Sequence, residues 1–321
     1  MSNNLDKAQK RAERRAEFKE WLFFQKKEFI KNINIVKQLV LRSIKVQYRN
    51  SVIGVFWTVL NPLLNMLVMY LVFSNMFERG GGTTVVDNAT YALYLLCGNI
   101  IFGMLRMATV QSLPSLVYNR GLLTKNKMSF NVFPLSCNLS ALVNFGFSFI
   151  ALLGVMLVVW FQGQSVFSVN ILLTLLMLPA LFLFTYGMSL ILSALYCFFR
   201  DIMHIYNVFL TLWMYLTPIF YNIQMFDKSE FSGVFMSTVI KLNPMYYFVE
   251  YFRDVAYRCS AHAGAIKELE AAGEFVSQAM RDSAVIPGVS ALLGLYMIGI
   301  IATLIGAIIF MSTKHKFIYN I

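Results

Sequence analysis

Charge is scarce in this sequence, and clusters able to carry chemistry are scarcer still. Asp, Glu, Lys and Arg make up 13% of the 321 residues, about half the share usual in a soluble domain. Five stretches, 50–77, 88–105, 128–199, 202–226 and 283–313, contain none of them. A soluble domain cannot keep runs of that length away from water. A bilayer-spanning helix needs about 20 apolar residues, which each run supplies or nearly supplies. The expected fold class is therefore all-α and integral to a membrane. A secreted disulfide scaffold and a disordered chain are excluded.

Cysteine and histidine are too few and too scattered for a scaffold or a metal centre. Four cysteines do not make a disulfide framework. Cys97 and Cys197 fall in or at the edge of apolar runs, Cys137 and Cys259 outside them, and they read as small packing residues. His204, His262 and His315 are far apart, and no Cys or His pair has metal-ligand spacing. There is no Gly-x-Ser-x-Gly, no His-Glu-x-x-His and no Gly-x-x-x-x-Gly-Lys-Ser/Thr loop to cradle ATP. Gly80, Gly81 and Gly82 have no Lys after them and read as a flexible turn. The chain is not expected to be an enzyme. No aromatic-and-basic groove suggests nucleic acid as a partner. The first fifty residues mix acids with Lys and Arg around no short apolar core, so they read as a hydrophilic tail rather than a signal peptide.

Six spans are expected, at 54–77, 91–112, 139–161, 171–196, 204–221 and 288–311. The longest run divides at Gln162-Gly163-Gln164-Ser165, a polar hairpin. Span 5 is short and ends at Thr217-Pro218, which fits a tilted, re-entrant or protein-shielded segment. An even number of spans puts both termini on one side. Segment 1–50 carries a net +8 and loop 118–138 a net +3, and Lys314 and Lys316 follow the last span, whereas 222–287 carries −2. Lys and Arg enrich cytoplasmic loops, so both termini are expected in the cytoplasm. The spans contain no Asp or Glu. Arg106, the one charge inside a span, sits near the inner end of span 2 and reads as snorkelling to the surface. Proton- and sodium-driven transporters usually use an intramembrane acid, so the energy for any transport is expected to come from a partner.

Several residues outside or along the spans form patterns. Between Leu22 and Arg49, Phe29, Ile33, Val36, Val40 and Ile44 make one apolar stripe on an amphipathic helix lying in the inner interface. This helix is either a surface anchor or a gate whose Arg42, Lys45 and Arg49 meet an anionic lipid headgroup. The basic, turn-rich loop 118–138 is either solvated or a short helix that docks onto a cytoplasmic partner. Segment 222–287 has aromatic helical runs, with Asn243-Pro244 as a helix start, and reads as interfacial helices capping the outer end. Trp57, Asn61 and Asn65 on span 1 and Tyr206, Phe209 and Trp213 on span 5 recur at helical spacing. Each stripe is either helix packing or an amide-and-aromatic lining suited to uncharged sugars.

Taken together, these residues resemble a family. Tyr48-Arg49-Asn50-Ser51, Gly54, Trp57 and Leu60-Asn61-Pro62 resemble the start of span 1 in the ABC exporter permeases for polysaccharides, O-antigen and teichoic acids. Asn119-x-Gly121-Leu122-Leu123 with Phe133-Pro134 resembles their coupling segment. Phe199-Arg200-Asp201-Ile202 and Leu216-Thr217-Pro218-Ile219-Phe220-Tyr221 resemble their span 4–5 turn and the end of span 5. Leu242-Asn243-Pro244 with Phe252-Arg253 resembles their outer gate helices.

The resemblance implies a homodimer in a bacterial plasma membrane, bound to two separate ATPase subunits that carry the ATP and Mg. This chain itself would hold no cofactor. It implies a channel for a glycan linked to polyprenyl (pyro)phosphate, moved outward on ATP hydrolysis. The division is then a charged cytoplasmic tail 1–21, an amphipathic interface helix 22–49 and a six-span permease domain 50–321, with an external gate region 222–287. Asn119, Gly121, Leu122, Lys125, Lys127, Phe133 and Pro134 would receive the ATPase stroke. Arg42, Lys45 and Arg49 would meet the lipid phosphate. Trp57, Asn61, Asn65, Tyr206, Phe209 and Trp213 would line the channel, and Asn243, Pro244, Phe252 and Arg253 would gate its outer mouth. The rivals are an exporter of the same fold for drugs or small lipids and a membrane-embedded transferase acting on lipid-linked sugars.

Overall fold

A computed structural model describes residues 32–47, 49, 54, 56–77, 88–125, 128–223, 231–271, 276, 278, 281 and 284–320. The expected tail 1–21, the start of the amphipathic segment and the glycine turn 80–82 lie outside these residues. Among the described residues all regular structure is helical. In chain order the helices are α1 (32–47), α2 (Phe56–Phe77), α3 (Asn88–Ser112), α4 (Ser115–Tyr118), α5 (Arg120–Lys125) and α6 (Val132–Phe161). A 3-10 turn (Val169–Leu173) leads into α7 (Thr174–Phe198), followed by α8 (Ile202–Leu216), α9 (Phe231–Leu242) and α10 (Pro244–Arg253). One π turn (Asp254–Arg258) joins α10 to α11 (Cys259–Ala271), and α12 (Val289–Asn320) closes the chain.

Four segments, Thr90–Ser112, Val132–Phe161, Val169–Phe198 and Val289–Lys314, are long and apolar enough to cross a bilayer. The apolar parts described for α2 and α8, Phe56–Val72 and Ile202–Leu216, are shorter. The 15 residues of α8 rise about 22 Å, less than a hydrocarbon core of about 30 Å. The outer end of the expected fifth span is not helical. Pro218 forces Thr217 out of the helical region to extended backbone, at φ −89° and ψ 129°. Of the two readings of the segment 118–138, a solvated loop or a short helix, the helical one holds. The segment contains part of α4, all of α5 and the start of α6, so Phe133 and Pro134 belong to the first turn of a long helix. Proline is tolerated there because the first-turn N–H groups have no helical partner.

α3 is the most enclosed of the four long helices and α12 the least. Apolar side chains gain little by moving from lipid to protein, so helices in a bilayer associate mainly through close packing and hydrogen bonds. The α7–α12 pair shows this. A Cβ on Gly187 would collide with the Ala302 backbone, and one on Gly306 with the Gly187 carbonyl. Backbone approach that close exposes carbonyls to side chains from the neighbouring helix. Thr303 donates to the Leu183 carbonyl at 2.7 Å, and Tyr296 to that of Leu176 at 2.8 Å.

Two apolar cores result. The larger fills the bundle around α3, α6, α7 and α10. The smaller gathers Leu116, Phe133, Leu190, Cys197, Phe310 and Phe317, with Leu39 of α1 and Leu122 and Leu123 of α5 packed against it. It fixes α1, α4 and α5 to one end of the bundle.

Candidate functional site

At that same end α2, α3 and α6 diverge around a cavity of about 230 Å³. Asn61 and Asn65 of α2, Asn99 and Gly103 of α3, and Asn144 and Ser148 of α6 line it, with Thr58 and with Gln47 from the end of α1. Its polar groups are carboxamides and hydroxyls, and no ionisable side chain is among them. Such a lining offers paired donors and acceptors to a hydroxylated neutral ligand while making no demand for charge. The Asn144 side chain donates to the Ser140 carbonyl at 2.8 Å, which fixes its orientation.

The predicted lining residues part company here. Asn61 and Asn65 open onto the cavity, and Trp57 is exposed on the same helix. Of the span 5 stripe, only Phe209 is exposed, whereas Tyr206 and Trp213 are buried in the protomer. Trp213 packs on Phe102, Phe184 and Phe209 at centroid distances of 6.4, 6.4 and 5.2 Å. Its indole N–H donates to Asn243 Oδ1 at 2.7 Å. Within the protomer Tyr206 and Trp213 therefore hold α8 to the bundle, since packing covers nearly all of both side chains. Asn99, Asn144 and Ser148 went unpredicted, although Ser140, Asn144 and Ser148 recur every four residues along span 3 and were a legible signal.

The opposite end of the bundle is built around broken backbone. After α8 the chain runs irregularly through Thr217–Tyr221, and its carbonyls need partners because lipid offers none. Tyr91 donates to the Phe220 carbonyl at 2.9 Å, and Tyr94 to those of Pro218 and Tyr221 at 3.1 and 2.5 Å. Arg253 donates to the carbonyls of Pro218, Ile219 and Tyr94 at 2.8, 3.2 and 3.2 Å. Asn243 caps α10 by accepting from the Met245 N–H at 3.0 Å, and it donates to Thr217 Oγ1 at 2.8 Å.

This places the four residues expected at the outer gate. Pro244 is half-buried at the start of α10, while Asn243, Phe252 and Arg253 are buried. Phe252 packs on Phe145 and Phe149. Arg253 is fully enclosed and pairs with Glu250 at 2.8 Å. Arg258 bridges Glu250 and Asp254, both at 2.7 Å. Burial alone raises the Glu250 carboxyl, but the Arg258 and Arg253 guanidiniums outweigh it and hold the group below its ordinary value. For Asp254 burial wins over Arg258, and its carboxyl is raised. Asn243, Phe252 and Arg253 thus join α10 to α8, α6 and α3 within the protomer.

At the α1 end, Arg42, Lys45 and Arg49 are exposed. Gly121 is exposed and Leu122 half-buried on α5, while Phe133 and Pro134 are buried beneath. Asn119 sits between α4 and α5 and donates to the Ser115 carbonyl at 2.8 Å, ending α4. Lys125 is the last residue of α5, and Lys127 lies outside the described residues. Among the described residues no three His, Cys, Asp or Glu gather where a metal ion could bind.

A model of the ABC-2 type transporter family matches residues 35–257, a span from α1 through the π turn. The chain is 30% identical over 223 residues to the O-antigen export system permease protein RfbA of Myxococcus xanthus, covering 68% of this chain and 78% of that relative. It is 25% identical over 277 residues to an O-antigen export system permease protein RfbA of Klebsiella pneumoniae, covering 86% of this chain and 90% of the relative. A second RfbA of Klebsiella pneumoniae aligns at 25% identity over 286 residues.

Proposed function

The chain belongs to the ABC-2 type transporter family, and from that premise we propose that it is the permease of an exporter carrying a lipid-linked glycan to the outer face of a bacterial plasma membrane. The relatives it aligns with along most of its length are named as O-antigen export permeases. The observation that carries the choice of cargo is the uncharged cavity between α2, α3 and α6. Amides and hydroxyls can exchange hydrogen bonds with sugar hydroxyls through a cycle of binding and release, and a neutral ring needs no charge opposite it. An O-antigen-like polysaccharide linked to polyprenyl (pyro)phosphate fits this reading, whereas the phosphate repeats of a teichoic acid would meet no cation in the cavity.

The finer arrangement follows from it. α2 and α8 count as spans alongside the four long helices, and both termini face the cytoplasm. Two copies enclose the channel, and two ATPase subunits that hold the ATP and Mg dock at α4 and α5. The reaction then belongs to that partner, and this chain converts its stroke into movement. Arg42, Lys45 and Arg49 stand where a lipid phosphate would enter from the inner leaflet. α9 and α10 form the outer gate, its anchor being the Arg253 cluster. Purification in mild detergent tests the assembly: a nucleotide-binding protein should accompany the permease at about one copy per chain. Recovery of an ATPase-free monomer with transferase activity on lipid-linked sugars would overturn it.

A further inference from the structure

Arg106 has no role in the arrangement described so far. It sits on α3 six residues before the helix ends at Ser112, about 9 Å along the axis. Its side chain is exposed, and its guanidinium makes no hydrogen bond or ion pair with any described residue. A cation at such depth is costly, and in membrane helices charges of this kind mark ligand or ion pathways. Snorkelling explains how the charge is tolerated but not why it stands on this face. Asn99, Gly103 and Arg106 are spaced four and three residues apart, which aligns them along one side of the helix. Asn99 and Gly103 both line the cavity. Gly103 leaves the passage between the other two open, because a Cβ built on it would meet nothing within 4 Å.

The row therefore runs from a neutral amide, across open space, to an unpaired guanidinium. A guanidinium binds planar oxyanions through paired N–H donors. At the depth of the inner leaflet the oxyanion available to it is the phosphate of a membrane-embedded molecule. We infer that Arg106 and the α2–α3–α6 cavity form one two-part subsite: the guanidinium takes a lipid phosphate, and the carboxamides take the first uncharged, hydroxyl-rich ring attached to it. The cavity, about 230 Å³, has room for a sugar ring. The subsite reads the phosphate–sugar junction as a unit. This rests on the proposed function and deepens it, since it assigns recognition of the cargo's linkage to α3 and adds to the cations of α1.

The test is binding to the full chain in lipid nanodiscs, followed by native mass spectrometry with four probes. They are a polyprenyl phosphate bearing one hexose, the same polyprenyl phosphate without the sugar, a glucosyl diacylglycerol without phosphate, and phosphatidylglycerol. The wild type should retain the hexose-bearing phosphate best. Arg106→Gln should weaken that probe about tenfold, to the level of the phosphate-free glycolipid, while Arg106→Lys keeps part of the affinity. Asn99→Leu should weaken the same probe to the level of the bare polyprenyl phosphate and leave the latter unchanged. Equal retention of phosphatidylglycerol and the hexose-bearing phosphate would show that Arg106 serves ordinary headgroups, and would overturn the inference. Unchanged binding in Arg106→Gln would overturn it as well. Both failures are distinct from failure of the proposed function, which is read by ATPase association and export.

Discussion

The Arg253 guanidinium lies 3.4 Å from the centre of the Tyr94 ring and also donates to the Tyr94 carbonyl. One cation thus binds both the ring and the backbone of a residue 159 positions away. It ties α10 to α3 and at the same time satisfies the broken backbone after α8. A desolvated cation over a ring contributes on the order of 2 kcal/mol, and removing one partner of a buried pair costs about 3–5 kcal/mol.

Arg253→Ala is expected to lower stability by about 3–5 kcal/mol, because Glu250 and the carbonyls of Pro218 and Ile219 each lose one donor. Arg253→Lys should recover only part, since an ammonium cannot reproduce the fork of donors. Thermal unfolding in detergent, followed by the loss of monodisperse protein, measures both. Wild-type stability in Arg253→Ala would mean the cluster contributes nothing.

The same cluster predicts a pH dependence. The Glu250 carboxyl is held below its ordinary value of about 4.5. Its contribution is therefore complete above that value and is lost as pH falls through the lower folded-state value. Asp254 is raised, so its ionised form costs stability at neutral pH, and that cost fades on acidification. Glu250→Gln should be clearly less stable than the wild type at pH 7, with the gap closing below about pH 4. Asp254→Asn should be neutral or slightly stabilising at pH 7. Melting temperatures of the three proteins between pH 3 and 8 check the signs, and a Glu250→Gln gap that widens in acid contradicts them.

Gly306→Val should separate α7 from α12, because the new side chain has the Gly187 backbone in its place. Overpacking of this kind costs about 1–3 kcal/mol or more. Gly294→Ala is the control, since a Cβ there meets nothing within 4 Å and alanine favours a helix. The expected result is low yield and early melting for the first and unchanged behaviour for the second. Equal yield and melting would contradict the close crossing.

Trp213→Phe should destabilise by about 1–2 kcal/mol by leaving Asn243 Oδ1 with one donor fewer. It should leave glycan export per assembled transporter unchanged. Asn61→Leu should do the reverse, preserving melting and reducing export several-fold. A fall in export per assembled complex for Trp213→Phe would return that ring to the channel.

Much of the architecture was legible because charge-free runs and helical spacing are one-dimensional signals. The polar hairpin at Gln162–Gly163 ends α6, and Asn243-Pro244 starts α10 with the asparagine as its cap. The amides Asn61 and Asn65, singled out by their spacing, both line the α2–α3–α6 cavity. Spacing did not say which side of a helix faces the protein. Tyr206, Phe209 and Trp213 lie on one stripe of α8, yet two of them are buried and one exposed. The role of Arg253 was hidden for a different reason. It depends on the carbonyls of Pro218 and Ile219, which are free to accept from a side chain only once Pro218 has ended α8 and α10 has come alongside. The small residues at 187, 299, 302 and 306 look like ordinary helix content in the sequence, since their meaning lies in a partner helix more than a hundred residues away.

The central claim is that the driving force comes from outside this polypeptide. The most direct test reconstitutes the chain in vesicles, alone and with its co-purifying ATPase, and follows delivery of a lipid-linked glycan to the far leaflet. Delivery should require the ATPase and ATP together, and a pH or sodium gradient should move nothing. Gradient-driven delivery by the chain alone would contradict the account.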